Sequence, residues 1–124
     1  MPRILIAEDD EPLRALIART LLQHGHDVVT AADGGAALEA LAREHGRFDL
    51  LLTDIRMPVI DGIELAMATV RDYPDVTILF MTGYADQRER AHGLDALIHD
   101  VTTKPLSVAT ISAAVDEALA IARR

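Results

Sequence analysis

Residues 50–62 read Leu50-Leu51-Leu52-Thr53-Asp54-Ile55-Arg56-Met57-Pro58-Val59-Ile60-Asp61-Gly62. The run Leu50 to Thr53 is short and continuously apolar, the pattern of a strand covered on both faces rather than of an amphipathic helix. It stops at an acid, Asp54. Met57-Pro58 interrupts any regular structure, and Asp61-Gly62 supplies a helix-opening residue pair before Ile63. Thirteen residues therefore specify a strand, a loop that carries polar chemistry, and the start of a helix.

The same unit recurs on either side. Ile4 to Ala7, Val28 to Ala31 and Val76 to Met81 are apolar runs of strand length, and a weaker fifth run lies near Ile98 to Thr103. Between them the spacing is helical. Leu13, Ile17 and Leu21 recur every four residues, as do Leu38 and Ala42 with Leu41 alongside, and later Ile111, Val115 and Leu119. Asp10 with Pro12, Asp33 before Gly34-Gly35, and Pro105-Leu106-Ser107 open the corresponding helices. The stretch Gln87 to Asp100 is charged, contains Gly93 and is the least periodic of the expected helices. The order is (βα)5, an α/β fold whose crossovers require a parallel sheet flanked by helices.

The chain of 124 residues is one domain's worth of protein, and its four aromatic residues leave the core to Leu, Ile, Val and Ala. Its 12 basic residues against 20 acidic ones give a net charge of −8, which argues against a direct nucleic-acid reader, because such binding rests on a basic footprint. The absence of cysteine removes disulfides, thiolate metal sites and cysteine nucleophiles. No apolar run approaches the roughly 20 residues that span a bilayer, and Pro2-Arg3 followed by Glu8 to Glu11 is unlike a signal peptide. A cytoplasmic protein with no membrane partner is expected.

What stands at the end of each apolar run carries the function. The first run ends in Glu8-Asp9-Asp10, the third in Asp54, the fourth in Thr82 and the fifth in Lys104-Pro105. In a parallel sheet these ends share one edge, where ligand sites of open α/β sheets form. Carboxylates brought together there raise one another's pKa unless a counter-charge intervenes, and a hard divalent cation such as Mg²⁺ supplies it. A hydroxyl and an ammonium opposite the metal suit the oxygens of a phosphoryl group.

These motifs, taken together and in order, resemble the receiver domain of bacterial two-component response regulators over the entire chain. The resemblance implies a doubly wound, five-stranded parallel sheet of flavodoxin-like order 2-1-3-4-5, and a single receiver domain over residues 1–124. It implies that Asp54 accepts a phosphoryl group from a phosphohistidine on a histidine kinase or histidine phosphotransfer protein. Asp9 and Asp54 would bind Mg²⁺ directly, Glu8 through water, and the main-chain carbonyl of Arg56 would add a ligand. Thr82 and Lys104 would contact the phosphoryl oxygens. Self-phosphorylation and autodephosphorylation would be the only reactions, and a downstream protein target would read the state of Asp54. Glu8 stands in place of the commoner aspartate, and Asp10 becomes a helix cap.

The sequence departs from the family pattern at Val101, where an aromatic switch residue is common. Phe80-Met81-Thr82-Gly83-Tyr84 resembles the Phe-Ala-Thr-Gly-aromatic signature of an alphaproteobacterial subgroup, and Tyr84 is expected to replace the missing ring. Arg56 and Tyr84 would flank the path of a hydrolytic water, with Gly83 leaving room for the phosphoryl group. The five histidines, His24, His26, His45, His92 and His99, show no metal-ligand spacing and are expected to be exposed.

Three outputs are consistent with these residues. A stand-alone receiver would act by docking or phosphorelay, and the Glu-Asp-Asp run, Asp-Ile-x-Met-Pro and Thr-Gly-aromatic resemble single-domain regulators of the CpdR type. A receiver cut from a larger regulator or hybrid kinase would carry the same residues. A small Mg²⁺-dependent phosphatase would want an acid two residues after Asp54, where Arg56 stands. By analogy a phosphodonor would dock over the first helix and the Pro105-Leu106 loop, with Leu13 and Ile17 read chiefly as core. A homodimer through the fourth and fifth units is left open.

Overall fold

The computed structural model describes residues 2–57, 59–82, 100–103 and 108–122. Five strands, β1 (Arg3–Ala7), β2 (Asp27–Ala31), β3 (Leu50–Asp54), β4 (Thr77–Thr82) and β5 (Asp100–Thr103), form one sheet in the order β2-β1-β3-β4-β5. All pairings are parallel. The helices are α1 (Glu11–Gln23), α2 (Gly34–Arg43), α3 (Gly62–Asp72) and α4 (Val108–Ala122). The further helix expected over Gln87 to Asp100 lies outside the described residues, apart from Asp100, which opens β5.

Period-two alternation along the strands divides the core between the two faces of the sheet. Ile4, Ile6, Leu50, Leu52, Leu79 and Met81 pack against Ile17 and Leu21 of α1 and against Ile111, Val115 and Leu119 of α4. On the other face Leu5, Ala7 and Leu51 meet Ala37, Ala40 and Leu41 of α2 and Leu65 of α3. Ile55, Ile78 and Phe80 extend that second face under α3. The physical cause is the right-handed crossover: the chain leaves β1 toward β2 but returns across β1 to β3, which puts α1 and α2 on opposite faces. Burying each of Leu50, Leu51 and Leu52 completely contributes about 1.5–3 kcal/mol.

Several expectations need correction. The inner face of α2 runs through Gly34, Ala37, Ala40 and Leu41, whereas Leu38 is half-buried and Ala42 exposed. Small residues line that face, and at its start the loop between β3 and α3 comes close: a Cβ on Gly34 would overlap the main chain of Ile60. β2 is apolar but not covered on both faces, since it is the edge strand, with Val28 and Val29 half-buried and Thr30 exposed. Asp10 occupies the N-cap of α1, yet its side chain makes no capping hydrogen bond. Asp33 and Asp61 do cap, accepting from the main-chain N–H of Ala36 and Glu64.

His26 corrects the reading of the histidines. It is 92% buried where the turn after α1 meets β2, and its Nε2 lies 3.3 Å from Asp116 Oδ1 of α4. Nothing within a few residues of His26 signals this, because the neighbour that covers it is 90 residues away in sequence. His24 and His45 are exposed as expected, and His92 and His99 lie outside the described residues. Among the described residues, no helix is long and apolar enough to cross a membrane.

Candidate functional site

The row Ile4-Ile6 on β1 and the row Leu50-Leu52 on β3 point to the same face, and each continues by two residues to a carboxylate. The register pairs Ala7 with Thr53, so Glu8 and Asp54 come side by side just past the last ladder residues. One carboxylate oxygen from each of Glu8, Asp9 and Asp54 lies within 4.8 Å of the other two. Glu8 is completely buried, Asp54 is 8% exposed and Asp9 faces solvent. The trio sits where β1 is flanked by β2 on one side and β3 on the other, the reversal point at which ligand crevices form.

The loop after Asp54 is held from several sides. The Thr53 hydroxyl donates to the Asp54 carbonyl at 2.9 Å, and the Ile55 N–H donates to Met81 O at 3.2 Å. The Gly62 N–H returns to Ile55 O at 2.7 Å, closing the loop over seven residues. Gly62 is required there: a Cβ would overlap the Asp54 carbonyl oxygen, so only glycine lets α3 begin directly against the end of β3. Met57 is buried in the second face of the core and anchors the middle of the loop. The Arg56 N–H lies 3.4 Å from Asp54 Oδ1, while the Arg56 side chain is exposed.

Across the sheet, Thr82 ends β4 and pairs in register with Thr103, the last residue of β5. This puts the main chain of Thr82 one residue beyond Met81, the register partner of Asp54. Lys104 follows Thr103 directly but, with Gly83 and Tyr84, lies outside the described residues. Val101 is on β5, paired with Phe80. The structure thus brings Glu8, Asp9 and Asp54 together and places Arg56 and Thr82 beside them along the backbone.

Arg14 was not singled out by the sequence. Its Nη1 donates to the Glu8 carbonyl at 3.0 Å. The available signal was a basic residue four positions after an N-cap, on a helix whose side chains lean back toward the acidic loop.

Three carboxylates held this closely form an all-oxygen donor set of the kind that hard divalent cations take, and their mutual repulsion is relieved when such a cation binds. A parallel α/β sheet with this acidic crevice at its reversal point defines the class of protein. The sequence model of the response regulator receiver domain matches residues 4–116, and the chain belongs to that family. It is 46% identical over 85 residues to the response regulator receiver protein CpdR of Brucella abortus, covering 68% of this chain and 69% of that protein. It is 36% identical to the transcriptional regulatory protein TcrA of Mycobacterium tuberculosis over 86% of this chain but only 41% of TcrA. Among solved structures, response regulator TrrA of Thermotoga maritima in complex with Mg²⁺ and BeF superposes with a TM-score of 0.82 at 27% identity, covering 95% of this chain and 99% of that one.

Proposed function

We propose that the chain is a phosphorylation-dependent signalling switch in which Asp54 accepts a phosphoryl group from a phosphohistidine of a histidine kinase or histidine phosphotransfer protein. The observation that carries this reading is the convergence of Glu8, Asp9 and Asp54 at one edge of the sheet. An Asp54 carboxylate oxygen attacks phosphorus; the O–P bond forms, the N–P bond to the donor imidazole breaks, and the released ring nitrogen takes a proton from solvent. Mg²⁺, which TrrA holds in its solved complex, would neutralise the oxygens of the transferring group.

Asp9 and Asp54 would bind the cation directly in this reading, Glu8 would act through water, and the Arg56 carbonyl would complete the set from the chain. Thr82 and Lys104 close on the phosphoryl oxygens, which biases the fourth and fifth units toward one partner-binding surface. Tyr84 reports that movement in the absence of an aromatic residue at Val101. Asp54 later returns to carboxylate when water takes the phosphoryl group, a hydrolysis that Arg56 and Tyr84 hinder. The match to less than half of TcrA supports a second architecture, the same switch joined to an effector, and the full-length gene distinguishes the two.

Incubation with acetyl phosphate and Mg²⁺ should add one phosphoryl group per chain, read by intact mass, and Asp54→Asn should abolish it. Equal labelling of the Asp54→Asn variant would overturn the assignment. A pull-down that compares labelled and unlabelled protein then identifies the partner.

A further inference from the structure

We propose that Arg14 is a positioning residue for the acidic site, a latch that fixes the main chain carrying Glu8 and Asp9; this rests on the metal-binding reading above. Glu8 is held at both of its backbone groups. Its N–H donates to Ala31 O at the end of β2, 3.1 Å away, and its carbonyl accepts from Arg14 Nη1 at 3.0 Å. Arg14 is itself anchored, because its own N–H donates to Asp10 O at 2.9 Å as the first turn of α1 closes. The segment from Glu8 to Asp10 is therefore clamped between the sheet edge and the first turn of the helix.

The side chain reaches Glu8 because helical side chains lean toward the N-terminus, which returns a residue of the first turn over the loop that precedes it. A planar guanidinium with several donors holds a carbonyl in a fixed direction better than a flexible ammonium does. The placement is electrostatically costly for a cation site. Arg14 puts a fixed positive charge against the main chain that carries the carboxylates, and charge alone predicts that removing it tightens binding of a divalent cation. Geometry predicts the opposite. Ligands fixed by a supporting hydrogen bond bind metal more tightly than ligands on a loose loop, and loss of such supports costs on the order of 10-fold or more in affinity.

The two effects differ in sign, so the experiment separates them. Mn²⁺ binding to the full chain is titrated by the electron paramagnetic resonance signal of the free ion for wild type, Arg14→Met and Arg14→Lys, with Asp54→Asn as the control that removes the site. The latch predicts ~10-fold weaker binding for Arg14→Met and an intermediate value for Arg14→Lys. Metal-free thermal unfolding identifies any variant that fails to fold. Should Arg14→Met not fold, Arg14→Lys carries the test, since charge alone predicts wild-type affinity for it. Equal or tighter binding by Arg14→Met, or wild-type affinity for Arg14→Lys, overturns the latch alone. A wild type that binds no Mn²⁺ overturns the metal reading and the latch together.

Discussion

Val59 has φ +71°, a left-handed conformation, and its side chain is 83% exposed. A β-branched residue is strained there, by about 1–2 kcal/mol for an L side chain with a β-carbon in that region. Strain of this kind persists only where surrounding structure over-determines it. Here the loop is pinned by buried Met57 before it and by the Gly62 N–H to Ile55 after it. Val59→Gly relieves the strain while raising the entropy of the unfolded chain by about 0.5–1 kcal/mol. The expected net result is a gain of about 0.5 kcal/mol, read as a higher urea midpoint at constant slope, the reverse of an ordinary exposed Val→Gly change. At this scale the sequence exposed Gly62 as a helix-opening residue but concealed its second role. That Cβ would meet the Asp54 carbonyl, an overlap that exists only once α3 is folded against β3.

Among the elements, β1 is tied at both ends. At the far edge of the sheet from the acidic site, Arg3 donates from Nε to Asp27 at 3.0 Å, from Nη2 to Glu44 at 2.6 Å and from Nη1 to Arg47 O at 3.0 Å. Its guanidinium also lies 4.9 Å from the centre of the Phe48 ring. One side chain thereby joins the starts of β1 and β2 to the connection between α2 and β3. Hydrogen bonding to Arg3 holds the Glu44 carboxyl below the usual glutamate range, with burial opposing it. A carboxyl whose folded-state pKa is depressed contributes stability above its unfolded pKa and loses it as pH falls through the folded value. Glu44→Gln is therefore expected to lower Tm modestly at neutral pH, and the gap to wild type should close as the pH drops below the carboxylate range. A gap that persists in acid would show that the carboxylate charge is not the cause.

Element positions were largely legible for the same reason that β1 is stable. The strands buried between two helical layers, β1 and β3, read as unbroken apolar runs, and the caps Asp33 and Asp61 bracket α2 and α3. Local pattern does not decide burial where it depends on which neighbour arrives. β2 has the composition of a buried strand but lies at the edge, and the inner face of α2 uses alanine, which carries too weak a hydrophobic signal to beat Leu38 in a periodicity argument.

At the scale of the whole molecule, folding concentrates acids at one sheet edge, so stability and cation binding are linked. If Mg²⁺ binds the folded chain alone, as proposed above, it should add about 2.7 kcal/mol of stability at 100 times the dissociation constant, read as a higher Tm that chelation reverses. Asp9→Asn should raise the metal-free Tm by removing like-charge repulsion from the trio, and should also shrink the Mg²⁺ increment. Both are read in one scanning calorimetry series. A metal-free Asp9→Asn protein less stable than wild type would mean that the carboxylates do not repel one another as their spacing implies.

The sequence by itself determined the alternation of strands and helices, the parallel sheet and the list of polar residues at strand ends, because hydrophobic periodicity and helix-capping residues are local properties. The tertiary structure alone decided that Glu8 and Asp54 sit side by side and that His26 packs against Asp116 of α4. Those relations depend on strand register and helix docking between segments distant in the chain. Backbone packing sets them, and no local pattern encodes it.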